Sequence, residues 1–370
     1  MNRSTSNRKY YGITLTAICL FGFCLGGFSQ EATAKKLKLN VAGYDYDRVL
    51  SIMNGHAGIE GAEIEFKVTD IYDMVKSTFG SEQKYDITEI GLVPFIAKYI
   101  NNDFRDYTLI PVFISRTFRH RNIFVHTDSG IEKAESLRGK RIGTPGYGMS
   151  SHVWIRGMLL DEYGIKADDM QWIETTKSSD GGKWKNSTYY FSDDFPIKTG
   201  PPNVDESELL LTGGCDALIT AITPKAYLDG NPKIRRLFID SRSAEKEYYK
   251  KTGLFPIMHA VAIRTELVKE HQWLPQAVFE MYSKSKLKAY ANMEGTTSLK
   301  VTLPWVVEEF EETRKIMGEN FWTYGFEANR KELENVMRYV YEQGLVGRHL
   351  KAEEIFHPTT LNLEESNFTR

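Results

Sequence analysis

Leu37-Lys38-Leu39-Asn40-Val41-Ala42-Gly43, running into Tyr44-Asp45-Tyr46-Asp47-Arg48, is the stretch from which the fold can be read. Leu37, Leu39 and Val41 recur with period two, the spacing of a half-buried strand, and Gly43 to Asp47 reads as the turn that ends it. A helix over Asp47 to Asn54 follows, then a strand at Glu63 to Val68 and a helix capped by Asp70 that runs toward Phe79. Tyr85 to Glu89 ends a short strand that feeds a helix through Pro94 to Ile100. Strands alternating with helices in this way predict an α/β architecture with a parallel sheet.

Farther along, Leu109 to Phe113 and Asn122 to Val125 are β-rich runs flanking a basic connection, Ser115 to Arg121, and read as segments crossing between lobes. The pattern restarts after Leu137 to Gly143 with a turn and a helix from about Ser150 to Tyr163, stopped by Gly164. Lys177 to Glu206 is polar and reads as a surface loop with a short hairpin around Tyr189-Tyr190-Phe191. Short strands follow at Ala217 to Thr220 and Leu237 to Ile239. Pro256 to Ile263 is the expected return crossing, and the rest is mostly helical, including Lys331 to Gln343. The expected organisation is a first lobe over 35–120 completed by 263–370, with a second lobe over 121–262.

Residues 1–34 have the order of a secretory signal: basic Arg3, Arg8 and Lys9, an apolar run Ile13 to Phe28, then Ala32-Thr33-Ala34. The apolar run is shorter than the roughly 20 residues that a spanning helix needs, so cleavage after Ala34 and a periplasmic location are expected. Without those residues 44 basic and 48 acidic side chains remain, a balance that carries no nucleic-acid footprint. Cys19 and Cys24 fall in the leader, and Cys215 alone remains, which excludes an internal disulfide and a four-cysteine metal site.

Three segments carry a family likeness: Gly43 to Arg48; Ile110 to Phe113 with Ser115 to His120; and Leu137 to Gly143. With Val153 to Gly157, Arg236 to Phe238, Pro256 to His259 and Trp322 to Arg330, in that order, the chain resembles the 4,5-dihydroxyphthalate decarboxylase family. The resemblance implies a two-lobed periplasmic binding protein type II-like fold, each lobe a mixed sheet flanked by helices with a cleft between them. It also implies cofactor-independent loss of a carboxylate from a dihydroxylated benzene dicarboxylate.

Ser115-Arg116-Thr117-Phe118-Arg119-His120-Arg121 packs three guanidiniums and an imidazole into seven residues, a density suited to capturing carboxylates. Held extended, it would place Arg116 and His120 on one face and Arg119 and Arg121 on the other. Ser115, Arg116 and Arg119 are therefore expected ligand contacts, with His120 as proton donor. Tyr44 and Arg48 follow the first strand, where open α/β sheets bind ligands, while Asp45 or Asp47 reads as a helix cap. Thr88-Glu89 ends a later strand, where Glu89 would orient an arginine or act as an acid. Tyr147, Ser150 and Ser151 sit where a Gly-interrupted turn enters a helix, a place for an anion; the absence of Gly-Lys-Ser/Thr excludes a phosphate P-loop. His259 in the return segment is a second candidate acid. No histidine spacing suits a metal, and neither metal nor cofactor is expected.

Two functions suit these residues. One is decarboxylation of an aromatic dicarboxylate; the other is capture of a small organic anion, an aromatic carboxylate or sulfonate, for an ABC-type transporter. The family resemblance favours the first and the leader the second. One architecture can host both.

Overall fold

A computed structural model describes residues 36–179, 196–294 and 297–365. The leader and the hairpin expected at 189–191 lie outside the described residues.

Two sheets organise the chain. The first is built from β1 (Leu37–Gly43), β2 (Ala62–Val68), β3 (Ile87–Gly91) and β4 (Tyr107–Arg116). The second is built from β5 (Ile123–His126), β6 (Arg141–Thr144), β7 (Gln171–Glu174), β8 (Ile197–Thr199), β9 (Ala217–Ile219) and β10 (Ile234–Arg236). β11 (Ile257–Arg264) then returns to the first sheet, giving strand orders β2-β1-β3-β11-β4 and β10-β5-β9-β6-β7-β8. β1 is parallel to β2 and β3, whereas β11 is antiparallel to both β3 and β4, so the first sheet is mixed. The second is mixed too, with β6 parallel to β7 and β9, and β5 antiparallel to β9 and β10. All five residues of β3 are buried, as the interior of a sheet covered on both faces requires. The first sheet resumes at Ile257 rather than at 263, because Ile257 already pairs with Arg116.

The helices are α1 (Leu50–Met53), α2 (Ile71–Phe79), α3 (Leu92–Asn101), α4 (Ser150–Tyr163), α5 (Glu206–Leu211), α6 (Lys225–Leu228), α7 (Ser241–Thr252), α8 (Thr265–Glu270), α9 (Leu274–Met293), α10 (Val306–Met317) and α11 (Arg330–Glu342). Asp70 caps α2 as expected, accepting from Asp73 N. Neither Asp45 nor Asp47 caps the turn after β1, where Tyr46 occupies the cap position; Asp47 accepts instead from Arg48 N.

α4 is buried from Ser150 to Leu159 because α11 lies across it. Gly157 permits that approach, since a Cβ there would stand 2.4 Å from the Tyr339 ring. Trp154 meets the same ring edge-on at 5.5 Å, and Arg156 Nε donates to Gln343 at 2.7 Å. The start of α4 is fixed to the first sheet's layer as well: Val93 N donates to Ser150 Oγ at 3.1 Å and Trp154 Nε1 to Ile257 O at 2.8 Å. Between the sheets the chain crosses twice side by side, with Thr117 N donating to Pro256 O and Phe118 against Phe255 at 4.7 Å.

Candidate functional site

Glu89 and Val261 are register partners in β3 and β11, so His259, two residues from Val261, projects from the same sheet face as Glu89. Its Nδ1 donates to Glu89 Oε1 at 2.6 Å, while Tyr46 OH donates to the same oxygen at 3.0 Å and Tyr44 N approaches Oε2 at 3.4 Å. Glu89 is 2% exposed, and the imidazole is about one-fifth exposed. A buried carboxylate that holds Nδ1–H leaves Nε2 as the nitrogen able to exchange a proton with a ligand. Burial, then the Glu89 charge, push the Tyr46 phenol far above its ordinary range, and Ser115 hydrogen-bonds to it. Arg48 closes the group: its Nε donates to Ile114 O at 2.6 Å and its guanidinium lies between the rings of Tyr46, at 3.8 Å, and Trp322, at 4.2 Å. Tyr46 and Trp322 escape the sequence reading. Tyr46 shares parity with Tyr44 and Arg48, a signal that was available, but Trp322 is more than 270 residues away.

Arg119 sits where the fields of Tyr46 and His152 overlap, for each of them interacts electrostatically with it. Desolvation lowers its pKa to about 10, and among the described residues its buried Nε has no hydrogen-bond partner and it makes no ion pair. Beneath the start of α4 a second cation, Arg156, is 1% exposed, stacks on Tyr147 at 3.5 Å and, among the described residues, leaves Nη1 without a hydrogen-bond partner. The first turn of α4 adds its amides and positive dipole end beside these cations, and buried Glu174 accepts from Tyr147 N at 3.3 Å in the turn before it. Ser150 and Ser151 are both buried there, and Ser150 Oγ is occupied by Val93 N.

Other expected contacts have different work. Arg116 does not face a ligand. It is buried, and its three guanidinium nitrogens are spent on Phe255 O, Thr323, Asn329 Oδ1 at 2.6 Å and Glu332 Oε1 at 2.8 Å. The run after it is not extended: β4 stops at Arg116 and a 3₁₀ turn begins at His120, which abolishes the expected alternation of faces. His120 is buried against Phe238 and Tyr248, and desolvation drops its pKa to about 4, so near neutral pH it is the neutral imidazole and not the imidazolium that a general acid needs. Thr88, adjacent to Glu89 in the strand, points to the opposite face and donates to Glu89 O. The Tyr44 hydroxyl accepts from Ile71 N, and the buried Tyr147 ring lies under Arg156. Among the described residues no cluster of three His, Cys, Asp or Glu is placed to hold a metal ion, and no helix is long and apolar enough to cross a membrane.

His120 and His152 carry a pH prediction. Desolvation lowers the His152 pKa to about 3, as it lowers that of His120 to about 4. The unfolded chain therefore takes up protons below about pH 6.5 that the folded chain refuses, and stability falls as pH drops from there toward 4. The combined slope reaches about 2.7 kcal/mol per pH unit. Urea midpoints between pH 7 and 4.5 should show it, and His120→Asn should flatten it by about half.

Comparison with known proteins accords with this architecture. The NMT1/THI5 like family model matches residues 113–182. The periplasmic sulfonate-binding protein SsuA of Methylobacillus flagellatus KT superposes with a TM-score of 0.52 at 14% identity, over 88% of this chain and 93% of that one, and so shares the fold. The chain is 31% identical over 215 residues to a 4,5-dihydroxyphthalate decarboxylase of Pseudomonas putida, covering 58% of this chain and 82% of the relative. It is 33% identical over 326 residues to one of Comamonas testosteroni, covering 88% of this chain and 98% of the relative. Periplasmic binding protein type II-like in fold and matched along nearly the whole of a curated relative, the chain belongs to the 4,5-dihydroxyphthalate decarboxylase family.

Proposed function

We propose that this protein decarboxylates a hydroxylated aromatic carboxylate of the 4,5-dihydroxyphthalate kind, with His259 as proton donor and Arg119 with the start of α4 as the anion clamp. The observation that carries the reading is the 2.6 Å bond from His259 Nδ1 to buried Glu89, which orients the ring and leaves Nε2 free for chemistry. A hydroxyl para to the carboxylate feeds electron density to the carbon that bears it. That carbon takes a proton from His259 Nε2, the bond to the carboxylate breaks, its electron pair restores the aromatic ring, and carbon dioxide leaves. A solvent proton then recharges the imidazole. Tyr46 and Ser115 keep Glu89 in place, and Arg119 holds the leaving carboxylate until it is neutral.

The fixed position of α4 supports chemistry over transport. Its start is held to Val93 and Ile257, so the anion end is organised before a ligand arrives. The order of residues 1–34 supports export, which by itself favours the solute-binding reading. A solute-binding role beside an ABC-type transporter is the second reading, favoured by the fold shared with the sulfonate-binding protein.

The test is incubation of residues 35–370 with 4,5-dihydroxyphthalate, following carbon dioxide release and thermal stabilisation together. Turnover is expected. Stabilisation without carbon dioxide would establish the binding role, and neither response would overturn both readings.

A further inference from the structure

Lys286 and Tyr290 stand four residues apart on α9 and so share one face of the helix, and between them they hold the peptide groups of Trp322. Lys286 Nζ donates to Trp322 O, and Trp322 N donates to Tyr290 OH at 2.9 Å. The indole is fixed separately: its Nε1 donates to Phe113 O of β4 at 2.9 Å, and the ring meets Phe255 edge-on at 5.4 Å. Glu365, near the end of the chain, completes the clamp. Its Oε2 accepts from Lys286 Nζ at 2.7 Å, from Asn320 Nδ2 at 2.8 Å and from Tyr324 N at 2.9 Å, so it grips the segment two residues to either side of Trp322. Lys286 Nζ donates to Asn320 Oδ1 as well, at 3.0 Å. The Lys286 and Glu365 side chains are 1% and 4% exposed.

A buried ion pair is a weak source of stability, because desolvation offsets most of its attraction. What this pair supplies is position, through charge-assisted bonds to Asn320, Trp322 and Tyr324. The ring that this segment carries is one of the two between which the Arg48 guanidinium is stacked. The other is Tyr46, whose hydroxyl donates to Glu89, the carboxylate that orients His259.

We propose that Lys286 and Glu365 are positioning residues for this site: they set Trp322 as the wall that keeps Arg48 against Tyr46, and through Tyr46 they keep Glu89 and His259 aligned. Residues 361–365 thereby belong to the machinery of the site, although none of them touches it. The effect on turnover rests on the proposed reaction; the effect on Trp322 does not.

The experiment incorporates 5-fluorotryptophan into residues 35–370, which gives six fluorine resonances, and Trp322→Phe identifies the one that reports the clamp. Arg48→Gln should move that resonance, because the guanidinium lies over the ring. Glu365→Gln should move it too, and should lower turnover on 4,5-dihydroxyphthalate by about 10- to 100-fold with KM little changed. The double variant Lys286→Met with Glu365→Gln removes both charges and keeps an acceptor for Asn320 and Tyr324 N. Its stability should return toward that of the wild type while the resonance and the turnover stay displaced. A Trp322 resonance at its wild-type position in folded Glu365→Gln overturns the proposal, as does turnover that recovers together with stability in the double variant. If Glu365→Gln alone does not fold, the double variant decides on the same two readings. A wild type without turnover would overturn the reaction and the catalytic part of this proposal with it, while the fluorine spectrum still decides whether the ion pair sets Trp322.

Discussion

His259→Gln is expected to lower turnover on 4,5-dihydroxyphthalate by about 10²- to 10⁴-fold, the usual range for a lost general acid, while changing ligand affinity little. Glutamine keeps a donor within reach of the buried Glu89 carboxylate, so the strand pairing of β3 with β11 and the Tyr46–Glu89 bond survive. What disappears is the nitrogen that exchanges a proton. Single-turnover carbon dioxide release and calorimetric binding on the same sample separate the two effects. A variant that retains more than a tenth of the rate would remove His259 from the chemistry and leave only its structural bond to Glu89.

Arg116→Ala is expected to cost stability, about 3–5 kcal/mol, and to leave the ligand site of the remaining folded protein intact. The arginine binds the end of β4 to Phe255 in the second crossing, to Thr323 and Asn329, and to Glu332 in α11. Removing it strands the Glu332 carboxylate, whose side chain is 9% exposed, without its cation. The double variant Arg116→Met with Glu332→Leu removes both charges, and its urea midpoint should recover most of the loss. Equal loss in the single and double variants would mean that packing, not the orphaned charge, sets the cost. A selective loss of ligand affinity at unchanged stability would return Arg116 to the binding site.

Short-range signals are the part of the fold that the sequence makes legible. The alternation of Leu37, Leu39 and Val41 and the Asp70 cap are local signals, and β1 and α2 lie where those signals put them. Arg116 was misread because its partner Glu332 is 216 residues away; a basic run between two apolar strands looks like a clamp until the carboxylate that absorbs it is seen. Glu89 and His259 were each visible as candidates, but their pairing spans 170 residues and depends on β11 lying beside β3, which no local pattern encodes. His120 fails for a different reason: the aromatic residues that desolvate it, Phe238 and Tyr248, come from distant parts of the chain.

The position of β11 also sets a timetable for folding. The first sheet holds a gap between β3 and β4 that only Ile257–Arg264 fills, so a chain growing from its N-terminus carries unpaired edges on β3 and β4 through synthesis of the whole second sheet. Such a long-range closure is slow and keeps the nascent protein open. If residues 1–34 direct export, as their order predicts, that delay keeps the first half from locking into a finished unit before the second half exists. The same delay exposes apolar strand edges to other chains, so folding yield should depend on holding chaperones more steeply than final stability does.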